Sequence, residues 1–181
     1  MKLFKKLFAA LLFVCIATVA CYAQNVFFIK GKWNLNFLNG QERLNVVFDY
    51  SDLKIQGHKE MFYVEMRGQL WAEEWEDAKV SKFPERFFYH LNKNINADKS
   101  LLLCRAYTEA EAQYQATVRV LVISNYEIRC EVIFTKSGDT VPLAIIAVRG
   151  GRCGDAKISR IERAFGDVGQ NLGKFMANKI K

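Results

Sequence analysis

Five residues near the carboxyl end have the types and spacing to hold a ligand. Gly150, Gly151, Arg152, Cys153 and Gly154 lie in a row between an apolar run and a long amphipathic stretch. Backbone N–H groups in such a loop, ahead of a helix N-terminus, form a nest for a phosphate or carboxylate, and Arg152 would add the countercharge. The same glycines also serve a tight strand-to-helix turn, where positive φ is needed, and Asp155 beside them repels an anion. A binding loop predicts a pocket of about 300 Å³ or more at that place. It also predicts loss of binding in Arg152→Ala.

A second constellation is Trp71 and Trp75, four apart and so on one helix face, among Glu73, Glu74, Glu76 and Asp77. Such rings could present an aromatic surface to a carbohydrate or a peptide. They would equally bury the helix against a sheet. Acids crowded on one helix turn could pair for glycoside hydrolysis, but more often form a solvated face. The remaining reactive groups are sparse. Beyond the first 24 residues there are three cysteines, Cys104, Cys130 and Cys153, and two histidines, His58 and His90. None has metal-ligand spacing, and no GxSxG, HExxH, GxGxxG or P-loop occurs. Cys104 and Cys130 read as small apolar residues on strands, with one disulfide among the three as the other reading. The sequence therefore points to no catalytic residue, no metal and no cofactor, and to a binding module rather than an enzyme. The alternative is a small anionic-ligand binder or hydrolase built on residues 150–154.

Of the 181 residues, 51% are hydrophobic and 25% charged, with 11 glycines and 2 prolines. That balance excludes disordered and collagen-like chains and fits one globular domain. The chain opens with Lys2, Lys5 and Lys6, continues uncharged over residues 7–20, and reaches Cys21, Tyr22, Ala23 and Gln24. A basic start, a short apolar stretch and a small residue at the end read as a secretory signal peptide. The apolar stretch is shorter than the about 20 residues of a spanning helix. The expectation is a leader over residues 1–23, cleaved after Ala23, and one mixed α/β domain over 24–181 that works in the periplasm or outside the cell. The alternative is a lipobox at Thr18, Val19, Ala20 and Cys21, with a lipid on Cys21 anchoring the protein to a membrane. Three of the seven net positive charges sit in the leader, leaving +4 spread over the rest. That is a solubility balance rather than a nucleic-acid footprint.

These residues need elements to position them. Leu44, Val46, Phe48 and Tyr50 alternate with Asn45, Val47 and Asp49, a strand with one apolar face. Residues 59–80 change to helical period, with Gly68 weakening the first turns. Pro84 suits the first turn of a second helix that runs to about Leu91 and ends among Asn92, Asn94 and Asn96. A short buried strand follows at 101–104. Residues 116–123 read as a strand covered on both faces, and Ser124-Asn125 as a tight turn. Tyr126 to Phe134 alternate, Ser137-Gly138-Asp139 turn, and 143–148 is a further apolar run, so three strands form an antiparallel meander. Ile158, Ile161, Phe165, Val168, Leu172 and Phe175 step by three or four, a long closing helix. Its start is either a box of Ser159 with Glu162 or a cap from Asp155. Strand, helices, strand implies a parallel crossover. The fold class is α/β: a mixed sheet with an antiparallel meander, helices packed on it and a long C-terminal helix.

Three stretches carry a family resemblance: Leu44 to Ser51; Val118, Arg119, Val120 and Leu121; and Arg149-Gly150-Gly151 with the closing run from Ile161 to Phe175, which holds Gly166, Gly169 and Gly173. Together they resemble a family of small exported Gram-negative envelope proteins with no assigned activity. More distantly, the order of elements is similar to the α/β module of curli-secretion lipoproteins and of the TolB amino-terminal domain. The resemblance implies a periplasmic or envelope-associated role with an envelope protein or surface polymer as partner, and carries over no catalytic residue. An interaction module of this kind predicts an exposed apolar patch or an open sheet edge.

Overall fold

The computed structural model describes residues 25–31, 33–97 and 102–180. The expected leader and Cys21 lie outside the described residues. Eight strands form one mixed sheet: β1 (Val26–Gly31), β2 (Arg43–Asp49), β3 (Lys54–Ile55), β4 (His58–Lys59), β5 (Leu103–Arg105), β6 (Tyr114–Ile123), β7 (Ile128–Lys136) and β8 (Ala144–Gly150). The order across it is β1-β8-β7-β6-β2-β5, with the β3–β4 hairpin alongside the end of β6. Strand β2 is parallel to both β5 and β6, whereas β6, β7, β8 and β1 run antiparallel in turn. The crossover from β2 to β5 passes through helices α1 (Glu60–Arg67), α2 (Gln69–Val80) and α3 (Lys82–Ile95), and α4 (Ile158–Lys179) closes the chain. The mixed sheet, the meander and the long last helix are those expected.

Alternation along the strands decides which face is covered. Leu44 and Val46, Val118 and Val120, Cys130, Val132 and Phe134, and Ala144, Ile146 and Val148 are all buried on one face. Against them lie Phe83, Phe87, Leu91 and Ile95 of α3 and Ile161, Phe165, Val168, Leu172 and Met176 of α4, also buried. Phe48 joins sheet to helices, 5.2 Å from the Phe87 ring and 6.0 Å from that of Phe165. The intervening residues, among them Val47, Thr117, Arg119, Ile133, Ile145 and Ala147, are only half-buried. The run 116–123 is therefore covered on one face, not both. Leu121 sits where the β6–β7 register shifts between Val120 and Val122, and the alternation breaks there.

Three local expectations also change. Residues 59–80 form two helices, because Gly68 adopts φ 84° and ψ 172°, a conformation no helix continues through. Helix α3 runs past Leu91 to Ile95. Asn92 does not end it. Its Nδ2 donates to the Cys104 carbonyl (2.9 Å) and its Oδ1 accepts from the Cys104 N–H (2.8 Å), fastening β5 to the helix. Helix α4 starts at Ile158 after Lys157, with no side-chain cap, so neither Ser159 nor Asp155 performs that task. Asp155 is instead held by Lys157 (3.8 Å) and Arg160 (3.4 Å).

Candidate binding surfaces

The glycine loop is explained by close packing. A Cβ on Gly150 would collide with Ile128, Val168 and the Ala164 carbonyl, and one on Gly151 with the Asp167 carboxylate. Gly154 needs positive φ, 56°, and lies against Arg160. These glycines let β8 run directly under α4, and the acid set against Gly151 disfavours an anion there. Arg152 is exposed and has no partner among the described residues. Neither of the two clefts described below reaches the loop.

The tryptophan pair divides. Trp75 is fully buried, so it cannot belong to an aromatic surface. Its Nε1 donates to Glu60 Oε1 (2.7 Å), and its ring packs on Phe83. Helix α2 packs mainly on α1 and α3, and this anchor ties it to both. Trp71 stacks on Trp75 with centroids 5.2 Å apart and planes 9° from parallel, and stays half-buried beneath Arg67. The cysteines are free and buried. Burial pushes the Cys104 and Cys153 thiols up to about 12 and raises Cys130 as well. None of them offers a thiolate near neutral pH.

Two of the clefts among the described residues bear on function. One, of about 330 Å³, lies between Gln41, Glu42, Arg43 and residues 111–113. The other, of about 530 Å³, lies just past the carboxyl end of β2, where parallel strands of open sheets place their ligands. It is lined by Tyr50, Asp52, Lys54, Lys59, Glu60 and Met61 together with Ser51 and Leu53. Behind it Glu60 Oε1 accepts from Lys79 Nζ at 2.6 Å as well as from Trp75, and Lys79 also reaches Glu76 at 2.9 Å. Burial alone would lower the Lys79 pKa, but the two carboxylates outweigh it and the net shift is upward. The Tyr50 hydroxyl is buried without a hydrogen-bond partner, and burial drives its pKa far above the ordinary phenol range.

This cleft is not among the sequence expectations. Its residues come from a strand end, a hairpin and a helix start, with no fixed spacing between them. One local signal was present: Gln56-Gly57 between Lys-Ile and His-Lys is a two-residue hairpin turn, with φ 52° at Gln56 and 84° at Gly57. Reading it would have placed Lys54 opposite Lys59.

A further surface is the sheet face that α3 and α4 do not cover. Register lines up Asp49, Arg119, Glu131, Ala147 and Phe27 across five strands. Arg119 sits between Asp49 (3.5 Å) and Glu131 (3.7 Å). The next row holds Val47, Thr117, Ile133 and Ile145. Beside the face, edge strand β1 and the residues after it expose Phe27 (38%), Ile29 (47%) and Trp33 (74%). The edge itself is blunted by a register shift between Phe28 and Lys30 and by Lys30.

No helix among the described residues is long and apolar enough to cross a membrane. No family model matches the chain, and no curated protein sequence matches it. Among solved structures it is similar to the PelC dodecamer from Paraburkholderia phytofirmans, at 9% identity, covering 86% of this chain and 97% of that one, with a TM-score of 0.43. A single-substitution variant of the same dodecamer gives 11% identity, 86% and 98% coverage and a TM-score of 0.44. Similarity at this level assigns neither site nor role to the present chain.

Proposed function

We propose that the chain is a non-enzymatic binding or assembly module of the Gram-negative cell envelope that engages a protein partner through the uncovered face of its sheet. The observation that carries the reading is this face itself. Among the described residues the buried sides of α3 and α4 face the other side of the sheet, and the rows of Val47, Thr117, Ile133 and Ile145 and of Asp49, Arg119 and Glu131 stand half-buried with no layer over them, although the next row, at Asn45 and Thr135, is covered. A sheet face ordinarily buries its apolar side chains against another layer. The occupant is a protein because the face sets a charged row, Asp49, Arg119 and Glu131, beside an apolar row, as a complementary protein surface would. Sugar-binding surfaces rely on aromatic platforms, and the rings near this face, Phe27 and Tyr107, lie at opposite edges of the sheet. Export and envelope location rest on the basic and apolar start of the sequence and on the family resemblance. The blunted β1 edge favours the face over strand addition as the means of contact.

The test is site-specific photo-crosslinking in intact exporting cells. A photoreactive side chain at Thr117 or Ile133 should give one discrete protein adduct, whereas one at Tyr89, exposed on α3, should not. Equal, diffuse labelling from all three positions, or none from the face, would end the proposal.

A further inference from the structure

A different surface lies at one end of the sheet. Strand pairing brings Ile55, Ile123, Ile128, Gly150 and Val26 to this end. Gln56 Nε2 ties its loops together, donating to Asn125 Oδ1 (2.8 Å) and to the Gly154 carbonyl (3.1 Å). The Asn25 carbonyl accepts from the Arg149 N–H (2.8 Å), so the chain before Asn25 joins the domain here.

Helix α1, which starts from the β3–β4 hairpin, turns its apolar side outward. Met61 is 81% exposed, Phe62 51% and Met66 58%, while Tyr63 is its buried residue. Phe62 and Met66 are one turn apart, and the His58 ring lies 5.4 Å from that of Phe62. Single exposed apolar residues are ordinary, but three on one two-turn helix mark a contact surface. Beside them, in the 530 Å³ cleft, Lys54 and Lys59 are direct cross-strand partners. Like charges so placed destabilise a strand pair. Neither lysine has a carboxylate within ion-pair distance among the described residues. Glu60 is already engaged by Lys79 and Trp75, which leaves Asp52 as the one free carboxylate in the cleft against two ammonium groups. Glu127 and Asp155, at the same end, each already face two cations. Glu65 is the one acid on the outward side of α1.

We infer that this end of the molecule docks on an anionic lipid surface. Met61, Phe62 and Met66 enter the boundary between headgroups and acyl chains, and Lys54 and Lys59 bind headgroup phosphates at the mouth of the cleft. Charge complementarity selects an anionic surface, and the protruding Met and Phe side chains select a lipid one. The chain before Asn25 agrees: three residues lie between Cys21 and Asn25, four Cα-to-Cα steps. They span at most about 14 Å, so a lipid on Cys21 would bring this end, and no other, to the bilayer. The inference goes beyond the proposed partner face and does not depend on it.

The test uses the Cys21→Ser chain, purified after processing by exporting cells so that no lipid confounds the result. It is sedimented with vesicles of phosphatidylglycerol and phosphatidylethanolamine, and with vesicles of phosphatidylcholine. Binding to the first and not the second, weakened by salt, is expected. Lys54→Gln with Lys59→Gln should weaken it about thirty-fold, from about 1 kcal/mol per basic residue at an anionic surface. Phe62→Ser with Met66→Ser should weaken it on the order of tenfold. All four side chains are exposed, so circular dichroism should not change and the melting temperature should not fall. Equal binding to both vesicles, binding indifferent to both double variants, or release by millimolar glycerol 1-phosphate would each overturn the inference. The last would show a slot for a soluble anion.

Discussion

Replacing Gly169 by alanine tests whether the glycine stripe of α4 is there for close helix packing. Gly166, Gly169 and Gly173 share the α4 face that meets α3, the helix it packs against most extensively. A Cβ on Gly169 would collide with the Phe87 carbonyl, and one on Gly173 would come 2.7 Å from the Leu91 carbonyl and 2.9 Å from Asn94 Cβ. One on Gly166 meets only side chains, His90 at 3.0 Å and Arg86 at 3.3 Å, which can move aside. Each substitution gains about 1 kcal/mol of helix propensity. Overpacking against rigid backbone takes back about 3 kcal/mol, at the upper end of its usual range. Gly169→Ala should therefore lose about 2 kcal/mol net, and Gly166→Ala should be neutral or slightly stabilising. For a domain of this size, 2 kcal/mol lowers Tm by about 4–8 °C. Urea unfolding followed by tryptophan fluorescence would measure it, since Trp75 is fully buried. Gly169→Ala as stable as Gly166→Ala would refute the argument.

Other outcomes follow from the same geometry. Asn92→Ala strands both polar groups of Cys104 and should cost about 2 kcal/mol in urea unfolding; an unchanged midpoint would mean that β5 is not held by this contact. In the native state at pH 8, none of the three buried thiols should react with a thiol reagent within minutes, and all three should react in guanidinium; rapid native labelling would contradict the packing around them. Burial, reinforced by Arg86, holds the His90 pKa below its ordinary 6.5. The neutral form is thus favoured in the fold, so its contribution is complete above pH 6.5 and is lost as pH falls through the lower folded value. An NMR titration midpoint for His90 at or above 6.5 would reverse that sign.

What the sequence disclosed was periodicity. The alternation of 44–50 and 126–134 and the three-and-four stepping from Ile158 were enough to place strands, meander and last helix, because each signal is local and strong. Period alone does not say whether a second layer covers β6; the half-buried Thr117 and Arg119 show that, among the described residues, none does. The glycine loop looked functional because glycine serves a nest and a close approach equally well. The distinction lies in what a Cβ would strike, which for Gly150 is Ile128, Val168 and the Ala164 carbonyl. Trp75 gave a surface signal on its own helix, but its partners Glu60 and Phe83 come from two other elements. The cleft at Tyr50 was hidden for the same reason.

The two proposed surfaces use different parts of the sheet. Strands run from one end of the sheet to the other, so a bilayer touching the ends of β3, β6 and β8 lies roughly perpendicular to the open face and leaves it free. A partner on that face would then be held alongside the membrane. Confinement of both molecules to one surface raises their effective concentration without any new contact. Lys54→Gln with Lys59→Gln should accordingly lower photo-crosslinking from Ile133 in cells. Affinity for the same partner, once isolated, should be unchanged in solution, because both lysines lie at the end of the sheet, level with Val122 and beyond the rows of Thr117 and Arg119. If the double variant weakened binding equally in both settings, the lysines would belong to the partner site. The picture of one surface for the lipid and another for the protein would then fail.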